Sequence, residues 1–354
     1  MIYNEYFASM NTGSGFCSFF DKIFPPSQLQ ALYIIKGGSG TGKSTIMKNI
    51  ACHFKEKGRS VEVFLCSADI NSFDGILIDS KVAVIDGTSP HTTDPVYPGA
   101  VDLIVDLSDS WNEKILQNEK DEIIDCVSRK SESYKEAYGF LNAGCRIKKE
   151  ITHLAERNFN YKKMNGAINR FFKQNNLKGK GFKKSVRLVS TVGADGETTL
   201  ETFENLSDKI CCVSNAHGCE NIFFDAFYKK IKECELNCVV SYSHTDANQI
   251  NALYLPEIKT CVVKSRGKEN TYNSKYKIFN MERFIDKNVI SQNRSKLRFL
   301  KKCSDALTSE AIKSFRNAKG EHEKLEKIYS AAVDFKKVGE KELMLIDKIE
   351  KLLS

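Results

Sequence analysis

The sequence lacks the features that mark membrane and secreted proteins. None of its 354 residues belong to an apolar run of about eighteen residues, the length that a membrane-spanning helix requires. The opening segment, MIYNEYFASMNTGSGF, does not follow the basic-then-apolar order of a signal peptide. Its twelve cysteines include no C-x-x-C pair. These absences predict a cytoplasmic protein without a membrane partner, and they favour reduced, buried thiols.

One group of cysteines leaves a metal site open as the alternative. Cys211, Cys212, His217 and Cys219 lie close together along the chain. Adjacent cysteines on a strand point to opposite faces of the sheet, however, and no second pair completes a tetrahedral set of ligands. We therefore favour structural thiols at these positions.

Composition adds only broad limits. With 28% charged and 41% hydrophobic residues, the chain resembles ordinary soluble globular proteins, and its length suits two domains or one large one. The net charge of +8 permits an anionic partner without requiring one.

The segment LYIIKGGSGTGKSTIMKNIACHF, from Leu32 to Phe54, carries the most specific chemical pattern. It combines a buried strand, a glycine-rich turn that ends in Lys-Ser, and an amphipathic helix, which is the context of a phosphate-binding P-loop. Glycines allow successive backbone amides to turn inward around an anion, and the helix adds its positive end. The predicted nucleotide-binding residues are Gly37, Gly38, Ser39, Gly40, Thr41, Gly42, Lys43, Ser44 and Thr45.

Two residues of this segment and one further along predict ATP and Mg²⁺ as cofactors. Lys43 would reach the β- and γ-phosphates, and the Ser44 hydroxyl would ligate Mg²⁺. The apolar run from Val82 to Ile85 predicts a buried parallel strand, whose Asp86 would emerge at the carboxyl end of the sheet. Asp86 is the predicted second metal ligand, in the position of a Walker B acid.

The loop GTSPHTTDPVYPG, which follows Asp86, leaves the reaction open. Gly87 and Thr88 stand where many ATP hydrolases carry a glutamate that positions water. His91 is a candidate catalytic residue or sensor of the γ-phosphate, with a surface histidine as the alternative. A Mg-dependent ATPase is the leading hypothesis. A small-molecule kinase, with Asp69, His91 or Asp94 binding an acceptor hydroxyl, and a nucleotide-sensing module without turnover are the alternatives.

The charged region from about 111 to 172 predicts an antiparallel helical hairpin that projects from the core as a lid or as a surface for a protein partner. A second charged helical arm is predicted at about 292 to 354. Between the halves, the basic segment FFKQNNLKGKGFKK, from Phe171 to Lys184, predicts a flexible linker. Its interleaved phenylalanines and lysines leave single-stranded nucleic acid as a less favoured partner.

An internal repeat links the two halves. The shift that places Lys43 on Glu220 also aligns Asp69 with Asp246, and one further step places Asp86 on Lys264. The second loop, SNAHGCEN, has lost most of the glycines. Because a carboxylate repels phosphate, we predict a nucleotide-free second half. Its expected role is packing, and the alternative is to supply Lys264 or Arg266 to the first site as an arginine finger would.

The runs YIIKGGSGTGKSTIMK, CSADINSFDG and VAVIDGTSPHTTDPVYPGAVD resemble a family of uncharacterised bacterial ATPase-like proteins built of two tandem P-loop halves. The resemblance covers essentially the whole chain and implies ATP binding and a doubled fold. The predicted fold is thus α/β, a P-loop NTPase-like parallel sheet present twice. Residues 1–172 would form the nucleotide-binding domain with its arm, and residues 185–354 a degenerate domain with a C-terminal arm.

Overall fold

The computed structural model describes residues 3–267 and 275–354. In the first half the strands are β1 (Asn4–Phe7), β2 (Ser9–Thr12), β3 (Gly15–Ser18), β4 (Ala31–Lys36), β5 (Val61–Leu65), β6 (Phe73–Ile78), β7 (Val82–Asp86) and β8 (Asp102–Asp106). The helices of this half are α1 (Phe20–Ile23), α2 (Lys43–Glu56), α3 (Glu113–Asn118), α4 (Lys120–Ala155) and α5 (Tyr161–Gln174).

The second half repeats this order of elements. Its strands are β9 (Lys184–Val186), β10 (Ser190–Gly193), β11 (Gly196–Thr199), β12 (Lys209–Val213), β13 (Cys238–Ser243), β14 (Asp246–Leu255), β15 (Thr260–Lys264) and β16 (Tyr276–Phe279). Its helices are α6 (Thr202–Asn205), α7 (Glu220–Glu233), α8 (Lys287–Gln292), α9 (Arg294–Ala331) and α10 (Phe335–Leu353). In the described residues, no helix combines the length and the apolar character that a bilayer crossing needs.

Each half contains a six-stranded sheet, and the two sheets have the same topology. The first has the order β1-β5-β6-β7-β4-β8, and the second has the order β9-β13-β14-β15-β12-β16. Every strand of one sheet therefore has its counterpart at the same place in the other. The predicted duplication of an α/β fold is confirmed.

The prediction of a parallel sheet is wrong in one strand of each half. β6 runs antiparallel to both β5 and β7, and β14 runs antiparallel to both β13 and β15. Only three residues separate β6 from β7, whereas a parallel connection needs a dozen or more. Asp79 and Ser80 both have positive φ angles, 48° and 57°, as in a tight hairpin turn. The sheets are consequently mixed.

The helix after the glycine-rich turn forms as predicted. α2 buries Ile46, Met47, Ile50, Ala51 and Phe54 on one face, and these side chains join the core around the first sheet. The 3.6-residue spacing of these apolar positions is the pattern of a helix that packs on a sheet. Because this face packs on the sheet, it sets the direction in which α2 leaves the glycine-rich turn.

The helical arms pair differently from the prediction. The long helix α4 does not form a hairpin with α5; it packs along α9, the long helix of the other half. The pair is antiparallel, because Arg129 contacts Glu321 and Glu136 contacts Ser314. Gly144 brings the helices close, since a Cβ there would lie 3.6 Å from Leu307. Ala137 and Leu141 of α4 are thus buried in one cluster with Ala311 and Phe315 of α9.

The last helix of each half packs on the opposite half. α5 lies on α7, where the ring centroids of Phe171 and Phe172 are 5.7 and 5.0 Å from that of Phe227. α10 lies on α2, and its Leu345 and Ile349 enter the first core. The regions 1–172 and 185–354, taken as domains from the sequence, therefore exchange their terminal helices.

Candidate functional site

The glycine-rich turn connects β4 to α2 at the carboxyl edge of the first sheet. Gly40 and Gly42 have φ angles of 67° and 89°, in the left-handed region that glycine adopts without strain. Gly42 is the N-cap of α2 and brings no capping side chain. The first amides of the helix therefore face the turn, together with the positive end of the helix dipole, which is the arrangement that binds anions.

Lys43 and Asp86 meet at this turn. Lys43 begins α2, Asp86 ends the neighbouring parallel strand β7, and the Lys43 Nζ lies 3.7 Å from the Asp86 Oδ2. The other carboxylate oxygen of Asp86 accepts hydrogen bonds from the amide and the hydroxyl of Thr88, at 2.8 and 2.6 Å. The Asp86 carboxylate is thereby oriented with Oδ2 toward the lysine. The strand predicted at Val82–Ile85 is confirmed.

Side chains of the turn donate hydrogen bonds to carbonyl oxygens of the same turn. Lys43 donates to the carbonyl oxygens of Gly37 and Gly38, at 3.0 and 2.7 Å, and Thr41 donates to Gly38 at 2.8 Å. The Ser44 hydroxyl accepts a hydrogen bond from the amide of Phe73 at 2.9 Å. Ser39 is half-buried and Thr45 is exposed. Lys43 and Asp86 thus lie together, and Ser44 follows Lys43 in the first turn of α2.

The C-terminal end of α9 covers the turn, a contact that sequence analysis did not predict. A Cβ on Gly38 would lie 2.9 Å from the ring of Tyr329, and one on Gly40 would lie 2.5 Å from the carbonyl oxygen of Glu326. Trp111 packs edge-on against Tyr329, with ring centroids 6.3 Å apart. The long helix of the second half therefore forms a roof over the turn of the first.

Three basic side chains, Lys43, Lys130 and His322, interact electrostatically at the turn. The pKa of Lys130 on α4 is lowered by burial and by the charge of Lys43, against an opposing effect of Glu326. The pKa of His322 on α9 is lowered to about 4 by burial, by Lys130 and by Lys43. Burial is the larger cause of both shifts, and repulsion by the neighbouring lysines adds to it. A bound anion would relieve that repulsion, because it favours the charged forms.

His91 lies in the interior, so the alternative of a surface histidine is wrong. Only 6% of it is exposed, and its ring stacks on Phe20 with centroids 5.1 Å apart. Its Nε2 lies 3.3 Å from the Oδ2 of buried Asp74. Burial lowers the pKa of His91, but the Asp74 carboxylate outweighs it and the net shift is upward. Its proposed role in catalysis stays a prediction.

Asp69 and Asp94, the two acids predicted as alternatives for binding an acceptor hydroxyl, each form an ion pair with a lysine. Asp69 pairs with Lys319 of α9 at 3.3 Å. Asp94 is largely exposed and pairs with Lys36 at 3.4 Å. Lys36 also donates to the carbonyl oxygens of Gly87 and Thr93, and so braces the loop that follows Asp86.

The second half carries the same ion pair with its charges exchanged. Glu220 begins α7 as Lys43 begins α2, Lys264 ends β15 as Asp86 ends β7, and their side chains lie 3.4 Å apart. Arg266 pairs with Glu201 and Glu204 of the same half. These contacts of Lys264 and Arg266 favour packing over a role as an arginine finger.

The metal alternative at the second loop is wrong. Cys211 and Cys212 lie on opposite faces of β12, one in each of the two main cores, and His217 is exposed. Within residues 3–267 and 275–354, the one group of three or more cysteine, histidine and acidic side chains with mutually close ligand atoms is Cys66, Asp74 and His91.

Comparisons with protein-family models, with curated proteins and with solved structures gave no significant match. The resemblance to tandem P-loop ATPase-like proteins therefore stays a prediction from the motifs.

Proposed function

We propose that the chain binds Mg-ATP at the turn from Gly37 to Ser44 and hydrolyses it. The observation that carries this proposal is the position of Lys43, which begins a helix behind a glycine turn and faces Asp86 on the adjacent parallel strand. A mobile ammonium group and inward amides suit phosphate, and an acid on the neighbouring strand suits its metal. The basic side chain of Lys130 beside the same turn favours a polyanion.

The side chains present fit a magnesium ion. The hydroxyl of Ser44 and the Oδ2 of Asp86 are oxygen donors, the type that Mg²⁺ prefers, and they would hold it together with phosphate oxygens. When bound, Mg²⁺ neutralises charge that develops on the phosphates during transfer. Lys43 would then exchange the carbonyl oxygens of Gly37 and Gly38 for phosphate oxygens.

The roof formed by α9 favours an ATPase in which the arms move. Glu326 contacts Gly40 through its backbone, and burial, followed by the charges of Asp69 and Glu323, raises the pKa of its carboxyl. The Glu326 carboxylate lies 3.5 Å from His322, which links the roof to the basic side chains at the turn. Since α9 also packs along α4, a change at the turn would reach both arms.

Phosphate release and nucleotide stoichiometry test this function together. With ATP and Mg²⁺ alone, we expect steady release of phosphate and one nucleotide bound per chain. Trp111 is the single tryptophan of the sequence, so its emission reports on the Tyr329 contact as ATP is titrated. Loss of the γ-phosphate only when a metabolite with a hydroxyl group is added would indicate a kinase. Tight binding of ATP without any phosphate release would indicate a sensing module. Two equivalent nucleotides per chain would contradict a single site.

The pH dependence of nucleotide binding should depend on His322. A phosphate beside the ring would raise the pKa from its value of about 4, so binding takes up a proton and affinity rises as the pH falls from 7 toward 5. A rise of about two units would increase the affinity about tenfold at pH 5 and hardly at all at pH 7. Titrations of wild type and His322→Asn at both pH values isolate this effect from protonation of ATP itself. Identical pH profiles of the two proteins would exclude it.

A further inference from the structure

Three side chains converge beside the glycine-rich turn from separate segments. Cys66 follows β5, Asp74 lies in β6, and His91 lies in the loop after β7. One ligand atom from each lies within 4.8 Å of the others. Because β6 is antiparallel to its neighbours, its beginning meets the carboxyl ends of β5 and β7 at one edge of the sheet. The topology, rather than any sequence motif, assembles this group.

The spacing between two members of the group is that of ligands around a metal. The His91 Nε2 and the Asp74 Oδ2 lie 3.3 Å apart. This separation is longer than a good hydrogen bond, whereas two ligands at about 2.1 Å from a tetrahedral zinc ion lie about 3.4 Å from one another. The Asp74 Oδ2 makes no hydrogen bond within the described residues, although only 4% of Asp74 is exposed. A buried carboxylate oxygen with this long approach to His91 can accept a further partner.

Aromatic rings pack around His91 and hold its side chain in place. The ring of Phe20 lies parallel to the His91 imidazole, at an angle of 2°, and Phe16 packs against its edge with centroids 5.2 Å apart. Both His91 and Asp74 are buried, so the protein encloses two of the three ligand side chains.

We propose that Cys66, Asp74 and His91 form a zinc site, separate from the magnesium position at Ser44 and Asp86. Sulfur, nitrogen and oxygen ligands together suit Zn²⁺, whereas Mg²⁺ prefers oxygen alone. Binding converts the Cys66 thiol to a thiolate and releases its proton to solvent. Three protein ligands leave a fourth position for water. The ion would tie the loop that carries His91 to β5 and β6, next to the turn.

The test uses the full chain without nucleotide, so its outcome is independent of ATP binding. Chelator-treated protein is titrated with Zn²⁺ against a chromophoric competitor, and with Co²⁺, whose absorption reports thiolate coordination. We expect one Zn²⁺ per wild-type chain and an affinity lower by about 100-fold or more in Cys66→Ser. Cys52→Ser is the matched control, because Cys52 is a half-buried cysteine of the same half that lies on α2. It should bind zinc as wild type does.

A second measurement needs no variant and so does not depend on folding of Cys66→Ser. Wild-type protein is alkylated with and without Zn²⁺, and the modified cysteines are mapped by mass spectrometry. Zinc should protect Cys66 but not Cys52. Equal alkylation of Cys66 in both samples, or zinc affinity unchanged in Cys66→Ser, would overturn the proposal.

Discussion

Lys43→Ala should weaken ATP binding by about 100-fold, whereas Glu220→Ala should change it less than about twofold. Lys43 lies at the helix start beside the turn, where two charge-assisted hydrogen bonds to phosphate would together contribute about 3 kcal/mol. At about 1.4 kcal/mol per factor of ten, that contribution corresponds to about 100-fold in affinity. Titration of Trp111 fluorescence or calorimetry measures both variants.

Glu220 is the matched control for Lys43. It begins α7 as Lys43 begins α2, it is buried, and it faces Lys264 at 3.4 Å. Each substitution thus removes one partner of an equivalent ion pair, and thermal unfolding of both variants should report a similar loss of stability. If the two variants lost ATP affinity equally, the first turn would not be the nucleotide site.

Gly40→Ala should lower ATP affinity by at least about tenfold and should change the emission of Trp111 before any nucleotide is added. A side chain at a φ of 67° costs about 1–2 kcal/mol of strain. In addition, the new Cβ would lie 2.5 Å from the carbonyl oxygen of Glu326, so either the turn or the end of α9 must shift. Both responses alter the amides that would hold phosphate. ATP titration and intrinsic fluorescence measure them.

Gly58→Ala distinguishes the effect of backbone strain from the effect of the contact between Gly40 and α9. Gly58 has a φ of 75°, but no atom lies within 4 Å of the position that its Cβ would take. It follows the end of α2, at the opposite end from the turn. This control should lose stability by a similar strain and keep its affinity for ATP. An affinity of Gly40→Ala equal to that of Gly58→Ala would show that the contact with α9 does not shape the site.

The local elements of the site could be read from the sequence. The strand at Val82–Ile85 and the buried face of α2 follow from short-range periodicity, because apolar spacing distinguishes a strand from a helix within a few residues. The repeat located Glu220 and Lys264 as counterparts of Lys43 and Asp86. The exchange of charge between these two pairs is visible in the sequence alone, since it depends only on residue identity and register.

Other features depended on contacts between distant segments. An amphipathic stripe shows that a helix buries one face, but many partners satisfy the same stripe, so the pairing of α4 with α9 could not be predicted. The roof of Tyr329 and Glu326 over the turn follows from that pairing. His91 looked like a loop histidine, and its burial against Asp74 required the antiparallel placement of β6. The sequence by itself determined the phosphate-binding pattern and the duplication. Only the tertiary structure decided what covers the turn and what lies beside it, because those contacts join residues that no local pattern connects.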